Sequence, residues 1–256
     1  MGGLGKMEIQ HMHHKTNKTA QDARFSETHW SLVVAAGGKN ARSEQALQQL
    51  CQTYWFPLYA FVRREGYSQH DAEDYTQTFL ARLIASDDLI AIDRKKGRFR
   101  SFLLACMKHF LANEREKSRA QKRGGGEPVL SIDFANAESM YAAEPSHDLS
   151  PDKLFDRRWA MTVLGQAMAR LKAEMASQGK EDYFEQMKIF LTGGKGDVRY
   201  ATISAQLEIS EAAVKTAVHR MRNRYRKLLG AEIADTVEKK QDVEQELRDL
   251  RLTLAG

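Results

Sequence analysis

Residues 198 to 229 limit the fold more than any other stretch of the chain. Tyr200, Ile203 and Leu207 recur at helical spacing and predict a short amphipathic helix. Glu208-Ile209 makes a turn, and Ser210 is placed to accept a hydrogen bond from an orphan amide at the start of the next helix. Val214, Val218, Met221, Tyr225 and Leu228 then follow at steps of four, three, four and three, which turns one apolar stripe inward. The opposite face carries Lys215, Thr216, His219, Arg220, Arg222, Asn223, Arg224 and Arg226. A short helix, a turn and a cationic second helix form the helix-turn-helix arrangement, whose second helix fits the DNA major groove. An ordinary helical hairpin with a solvated basic face has the same pattern.

Strand patterns are nearly absent elsewhere, so the expected fold class is all-α: two helical domains joined by a flexible linker, the second ending in the helix-turn-helix. With 256 residues and 42% hydrophobic content the chain supports one or two real cores. The net charge of +5 is modest but unevenly placed. From Arg94 to Arg123 eleven Lys or Arg stand against two Glu, and from Glu211 to Leu229 six stand against one. From Ala231 to Gly256 seven acids outnumber four bases. Two concentrated basic segments and an acidic tail point to a polyanion partner. Cys51 and Cys106 lie on apolar helical stripes and read as buried free thiols, which suits a reducing cytoplasm. No run approaches the length of a membrane span, and the N-terminus lacks an apolar signal core, so a cytoplasmic protein without membrane contact is expected.

Residues 1–24 read as a disordered polar tail, in which His11, His13 and His14 suit either a mobile segment or adventitious metal binding. Residues 25–123 form the first helical domain. Thr28 or Ser26 starts a short helix that ends at Gly37-Gly38. Leu47, Leu50, Cys51 and Tyr54 make the next stripe, Pro57 should kink or restart the helix, and Gly66 suits a C-cap. Ser68 opens a helix with Asp71, Glu73 and Asp74 in its first turn. A basic loop, Arg94 to Gly97, precedes a long helix from about Phe99 to Arg123. Residues 124–150 begin with three glycines, hold two prolines and show no sustained period, which is linker composition. Residues 151–237 form the second domain, with Leu154, Phe155, Trp159, Val163, Leu164 and Leu171 inside, and residues 238–256 an acidic helix with Val243, Leu247, Leu250 and Leu254 on one stripe. That helix either folds back onto the second domain or covers the basic recognition helix as a lid.

Taken together, the run from Tyr54 to Phe79 (YWFPLYAFVRREGYSQHDAEDYTQTF) and the segment from Val163 to Leu229 resemble bacterial sigma factors of the sigma-70 family, extracytoplasmic-function class. Residues 46 to 123 resemble sigma region 2 and residues 163 to 229 region 4; both in this order, with a linker between, cover well over half the chain. The resemblance implies a transcription initiation factor, not an enzyme, with no cofactor and no metal. Its implied partners are RNA polymerase core, through the largest subunit's coiled coil and the flap, and promoter DNA, with an anti-sigma factor as a possible further partner. Asp71, Glu73, Asp74 and Gln77 align with the polymerase-docking helix, although carboxylates in a first turn also suit the helix dipole alone. For opening and holding the minus-ten element the resemblance implies Arg98, Arg100, Lys108, His109, Asn113, Arg115, Arg119, Lys122 and Arg123. Phe99 and Phe102 offer a stacking surface or, in phase with Leu103 and Met107, belong to the core. Glu114 and Glu116 interrupt a stretch that is often more uniformly basic or apolar in relatives. In region 4, Ser210 caps the helix entering the minus-thirty-five element, Ala212, Lys215, Thr216 and His219 reach base edges, and Arg220, Arg222, Arg224 and Arg226 grip phosphate.

Two other readings remain. A helix-turn-helix regulator that binds operator DNA without polymerase explains the C-terminal half but not the basic segment from Arg94 to Arg123. A helical scaffold requires both basic faces to be mere solvated surface. For an enzyme, His70-Asp71 with Glu73-Asp74 points to different helix faces, and Thr192 to Asp197, though Gly-rich with a Lys, lacks phosphate-loop spacing and a preceding strand.

Overall fold

The computed structural model describes residues 41–85, 98–120, 132, 134–144, 149–191, 200–237 and 240–255. The tail with its three histidines, the short helix near Trp30, the loop from Arg94 to Gly97, Gly124 to Gly126 and the Gly-rich Thr192 to Asp197 lie outside these residues. Among the described residues the fold is all-α: α1 (Ala41–Arg64), α2 (Gln69–Ala85), α3 (Phe99–Ala120), α4 (Ala137–Ala142), α5 (Pro151–Ala176), α6 (Glu181–Met187), a 3-10 turn (Lys188–Phe190), α7 (Tyr200–Gln206), α8 (Glu211–Ala234) and α9 (Lys240–Ala255).

Local chemistry sets several boundaries. Gly66 closes α1 at a φ of +94°, a conformation that L side chains rarely adopt. The Asp71 amide donates to Ser68 Oγ at 3.1 Å, while the Ser68 hydroxyl donates to the Asp71 carboxylate at 2.7 Å, which caps α2. Ser150 caps α5, accepting from the Lys153 amide at 3.4 Å, and Pro151 follows where its missing N–H is harmless. Pro57 neither ends nor restarts a helix: α1 runs through it. The lost amide donor is outweighed by its neighbours, for Phe56 and the run from Leu58 to Val62 are all buried.

α5 is the hub. It packs against α1 on one side and against α8, α9 and α6 on the others. Trp159, Phe155, Val163 and Ala167 of α5 are fully enclosed. Tyr54 of α1 is the pivot between the halves of the sequence, its ring edge-on to Phe99 of α3 at 5.1 Å and stacked on Phe155 of α5 at 6.3 Å. Tyr75 and Phe79 of α2 close on Phe110 of α3 at 6.0 and 5.8 Å. The two expected domains thus share one continuous core. An apolar stripe demands a cover without naming it, and here each half covers the other.

The expected linker also departs from a plain strap. α4 forms within it, with Ala137 fully buried, and Phe134 sits edge-on to Trp55 at 5.4 Å. Glu138 accepts from the Tyr59 hydroxyl at 2.6 Å and from both sides of the Arg63 guanidinium at 3.0 and 2.7 Å. Arg63 therefore holds that carboxyl below its ordinary value, against the effect of burial. Arg158 of α5 donates to the Met140 carbonyl at 2.9 Å and pairs with Glu144. These polar anchors fix the described part of residues 132–144 on α1 and α5.

Candidate nucleic-acid interface

α7, the turn and α8 lie where the sequence pattern puts them. Ile203, Val214, Val218, Met221 and Leu228 are buried; Tyr200, Leu207 and Tyr225 are half-buried. Glu208 takes a φ of +52° at the corner. The Ser204 hydroxyl bonds to the Ile209 carbonyl, and Ser210 Oγ accepts from the Ala213 amide at 3.2 Å. Phe190 stacks on Tyr200 at 4.8 Å, which ties α7 to the 3-10 turn.

The outer face of α8 exposes Ala212, Lys215, Thr216, His219, Arg220, Arg222, Arg224 and Arg226. Their partners differ. Ser210 is exposed and occupied as the cap. The Thr216 hydroxyl donates to the Ala212 carbonyl at 2.9 Å, and the Lys215 ammonium lies 5.7 Å from the Tyr200 ring centre. His219 meets Asn223 at 2.9 Å, which in turn accepts from Arg226 at 3.4 Å. Arg222 donates twice to the Phe190 carbonyl, at 3.1 and 2.9 Å. Arg224 makes a two-pronged bond to Glu174 of α5 at 2.7 and 2.5 Å, holding that carboxyl below its ordinary value. Arg220 and Lys227 meet no partner among the described residues and present their charge to solvent. The face can take up a polyanion through Arg220, Lys215, Arg226 and Lys227 without first breaking an internal ion pair.

The first half is engaged differently. Lys108, His109, Asn113 and Arg115 are exposed on α3, whereas the side chains of Arg119, Lys122 and Arg123 lie outside the described residues. Lys108 pairs with Asp152 of α5. Arg115 donates to the Tyr67 hydroxyl at 2.6 Å and to Glu65 at 3.0 Å. Phe99 is fully buried and Phe102 half-buried, so Phe99 is core and no stacking platform.

Arg98 and Arg100 correct the expectation of a free basic loop end. The Arg100 side chain is 8% exposed and Glu246 of α9 only 1%. The Arg100 guanidinium grips Glu246 with Nε at 2.8 Å and a terminal nitrogen at 2.7 Å, and reaches Asp156 at 2.5 Å and Asp249 at 3.3 Å. Its plane lies over Trp159, 4.7 Å from the ring centre. Burial alone would weaken its charge; Glu246 and Asp156 more than offset that and hold the guanidinium above its ordinary range. Arg98 pairs with Asp249 and lies 3.3 Å from Glu246, and its backbone bridges to Val237. As folded, Arg100 is closed off from solvent, and Arg98, half-buried, is taken up by Asp249.

Glu246, Asp249 and Asp156 escaped the sequence reading, yet a signal existed. Glu246 sits in phase with Val243 and Leu250, and Arg100 with Leu103 and Met107, so each is a charge on an inward stripe. The acidic helix α9 packs on α5 and α8, with Leu250 buried, and among the described residues none of its acids pairs with a cation of α8. It is not a lid over the recognition helix.

Asp71 and Asp74 of α2 are exposed, Glu73 and Gln77 half-buried. Asp71 serves the Ser68 cap, Glu73 accepts from Gln69 at 2.9 Å, and Asp74 lies 3.5 Å from His70. Both roles of the acids, local capping and an outward anionic face, thus coexist on one turn. Cys51 is buried and its thiol is pushed up to about 12, while Cys106 is half-buried, more open than its stripe suggested. Among the described residues no group of three metal-ligating side chains forms, and no helix is long and apolar enough to cross a membrane. No family model matches the chain, and no curated protein or solved structure matches it.

Proposed function

We propose that this protein is a transcription initiation factor of the sigma-70 kind, a non-enzymatic cytoplasmic partner of RNA polymerase core that directs it to promoter DNA. The observation that carries the reading is the capped pair α7–α8, with its left-handed corner at Glu208, its buried stripe and its outward row of Lys215, Arg220, Arg226 and Lys227. In this reading α8 enters the major groove of the upstream promoter element. Ala212, Lys215, Thr216 and His219 stand nearest the capped end and meet bases. The acidic turn of α2 docks on a cationic surface of the polymerase, where Asp71 and Asp74 steer encounter. The exposed side chains Lys108, His109 and Arg115 of α3 line the path of the opened strand.

The test is run-off transcription with purified bacterial polymerase core and genomic fragments, with and without the protein. Specific starts that depend on it are expected. No dependent start, with tight DNA binding in the absence of core, would replace this reading with an operator-binding regulator.

A further inference from the structure

Arg98 and Arg100 are the first described basic residues of the segment from Arg94 to Arg123, and acids of two later helices occupy them. Around two guanidinium groups stand three carboxylates, Asp156 of α5 with Glu246 and Asp249 of α9. The Arg100–Glu246 contact is a fork-to-fork pair, the geometry with which arginine also holds a phosphate. Apolar packing holds α9 thinly: of its stripe Leu250 is buried, while Val243, Leu247 and Leu254 are half-buried. A buried ion pair adds little net stability over an apolar contact, but leaving one partner alone is costly. Opening such a pair therefore avoids the cost of an unpaired buried charge only when another anion takes the place of the carboxylate.

We propose that α9 is an intramolecular clasp, whose Glu246 and Asp249 occupy Arg98 and Arg100 in place of nucleic-acid phosphate. Seated α9 and nucleic acid on this face exclude one another. The proposal rests on the reading of the first-half basic face as a nucleic-acid surface. Linkage makes the effect reciprocal: whatever factor the release of α9 adds to DNA affinity, bound DNA returns as release of α9.

The experiment uses the full chain and a fluorescein-labelled single-stranded DNA of about 20 nucleotides, at about 0.1 M salt, read by anisotropy. Release of α9 is read separately, as the rate of tryptic cleavage after the exposed Arg248 and Arg251. Glu246→Gln/Asp249→Asn is expected to bind about tenfold tighter than wild type, Asp249→Asn several-fold tighter, and DNA is expected to speed cleavage within α9 of the wild type. If the double variant loses helicity, Asp249→Asn decides alone, because Arg100 keeps Glu246 and Asp156 there. Equal DNA affinity in all folded forms overturns the clasp and leaves the nucleic-acid reading standing. Faster cleavage in the variants with no DNA bound by any form overturns the nucleic-acid reading itself, and phosphate as the competitor with it.

Discussion

Neutralising Glu246 leaves the Arg100 guanidinium sunk over Trp159, with Asp156 and Asp249 as its remaining acids. Glu246→Gln is expected to lower the unfolding free energy by about 3 kcal/mol, the low end for breaking a buried pair, because those two acids persist. The double variant Arg100→Met/Glu246→Leu should lose less than Glu246→Leu alone, since it removes both charges together; urea melts of the wild type, Arg100→Met, Glu246→Leu and the double variant form the cycle. Glu138 sets a second prediction. Arg63, and the Tyr59 hydroxyl with it, keep the folded carboxyl below the ordinary 4.5, so the unfolded chain binds a proton first as pH falls. Its stabilising contribution is complete above about pH 4.5 and lost below it as pH drops through the folded value. Glu174, held by Arg224, and Asp249, where Gln245 and Arg98 prevail over burial, add in the same direction. Thermal melts from pH 6 down to pH 3 should show stability declining below about pH 4.5, and the decline should be shallower in Glu138→Gln.

Single helices respond at their ends and on their outer faces. Ser210→Ala removes the cap of α8 and is expected to cost about 1 kcal/mol in chemical denaturation. Arg220→Ala should weaken DNA binding on all sequences and reduce the salt slope by about 0.9, whereas Arg224→Ala, already committed to Glu174, should leave the slope nearly unchanged. An equal slope change in both variants would show that the Glu174 pair opens on binding. Much at this scale was legible in the sequence. The steps from Val214 to Leu228, the Ser210 and Ser68 caps and the Gly66 terminus all follow from period and backbone chemistry, and each lies where the pattern put it. Pro57 and α4 were not legible. A proline in a helix is tolerated when flanking burial outweighs one lost hydrogen bond, and that burial depends on partners distant in sequence. α4 is six residues long, too short for a period, and is held by Tyr59, Arg63 and Trp55 instead of by its own pattern.

For the molecule as a whole, the shared core makes α5 the common support of both halves. Trp159→Ala is expected to cost about 3–5 kcal/mol and to destabilise α2 and α8 together, because the core around Trp159 is continuous with both. Hydrogen-exchange protection of the two helices should fall in parallel; loss of protection in α8 alone would show that the halves fold apart. This joint core was hidden from the sequence for a physical reason. Periodicity reports that Phe99, Tyr54 and Phe155 face inward, and nothing in it says that they face one another. The same limit concealed the Arg100 cluster, since a charge on an apolar stripe announces burial without naming its counter-charge. Glu246 follows Arg100 by 146 positions. At about 5–20 residues per second a ribosome completes the arginine roughly 7 to 30 s before the glutamate that closes on it. A nascent chain therefore passes through a stage at which its N-terminal helices are made and their guanidinium groups lack α9. Translation that stops in that interval releases a chain whose Arg98 and Arg100 never meet Glu246 and Asp249.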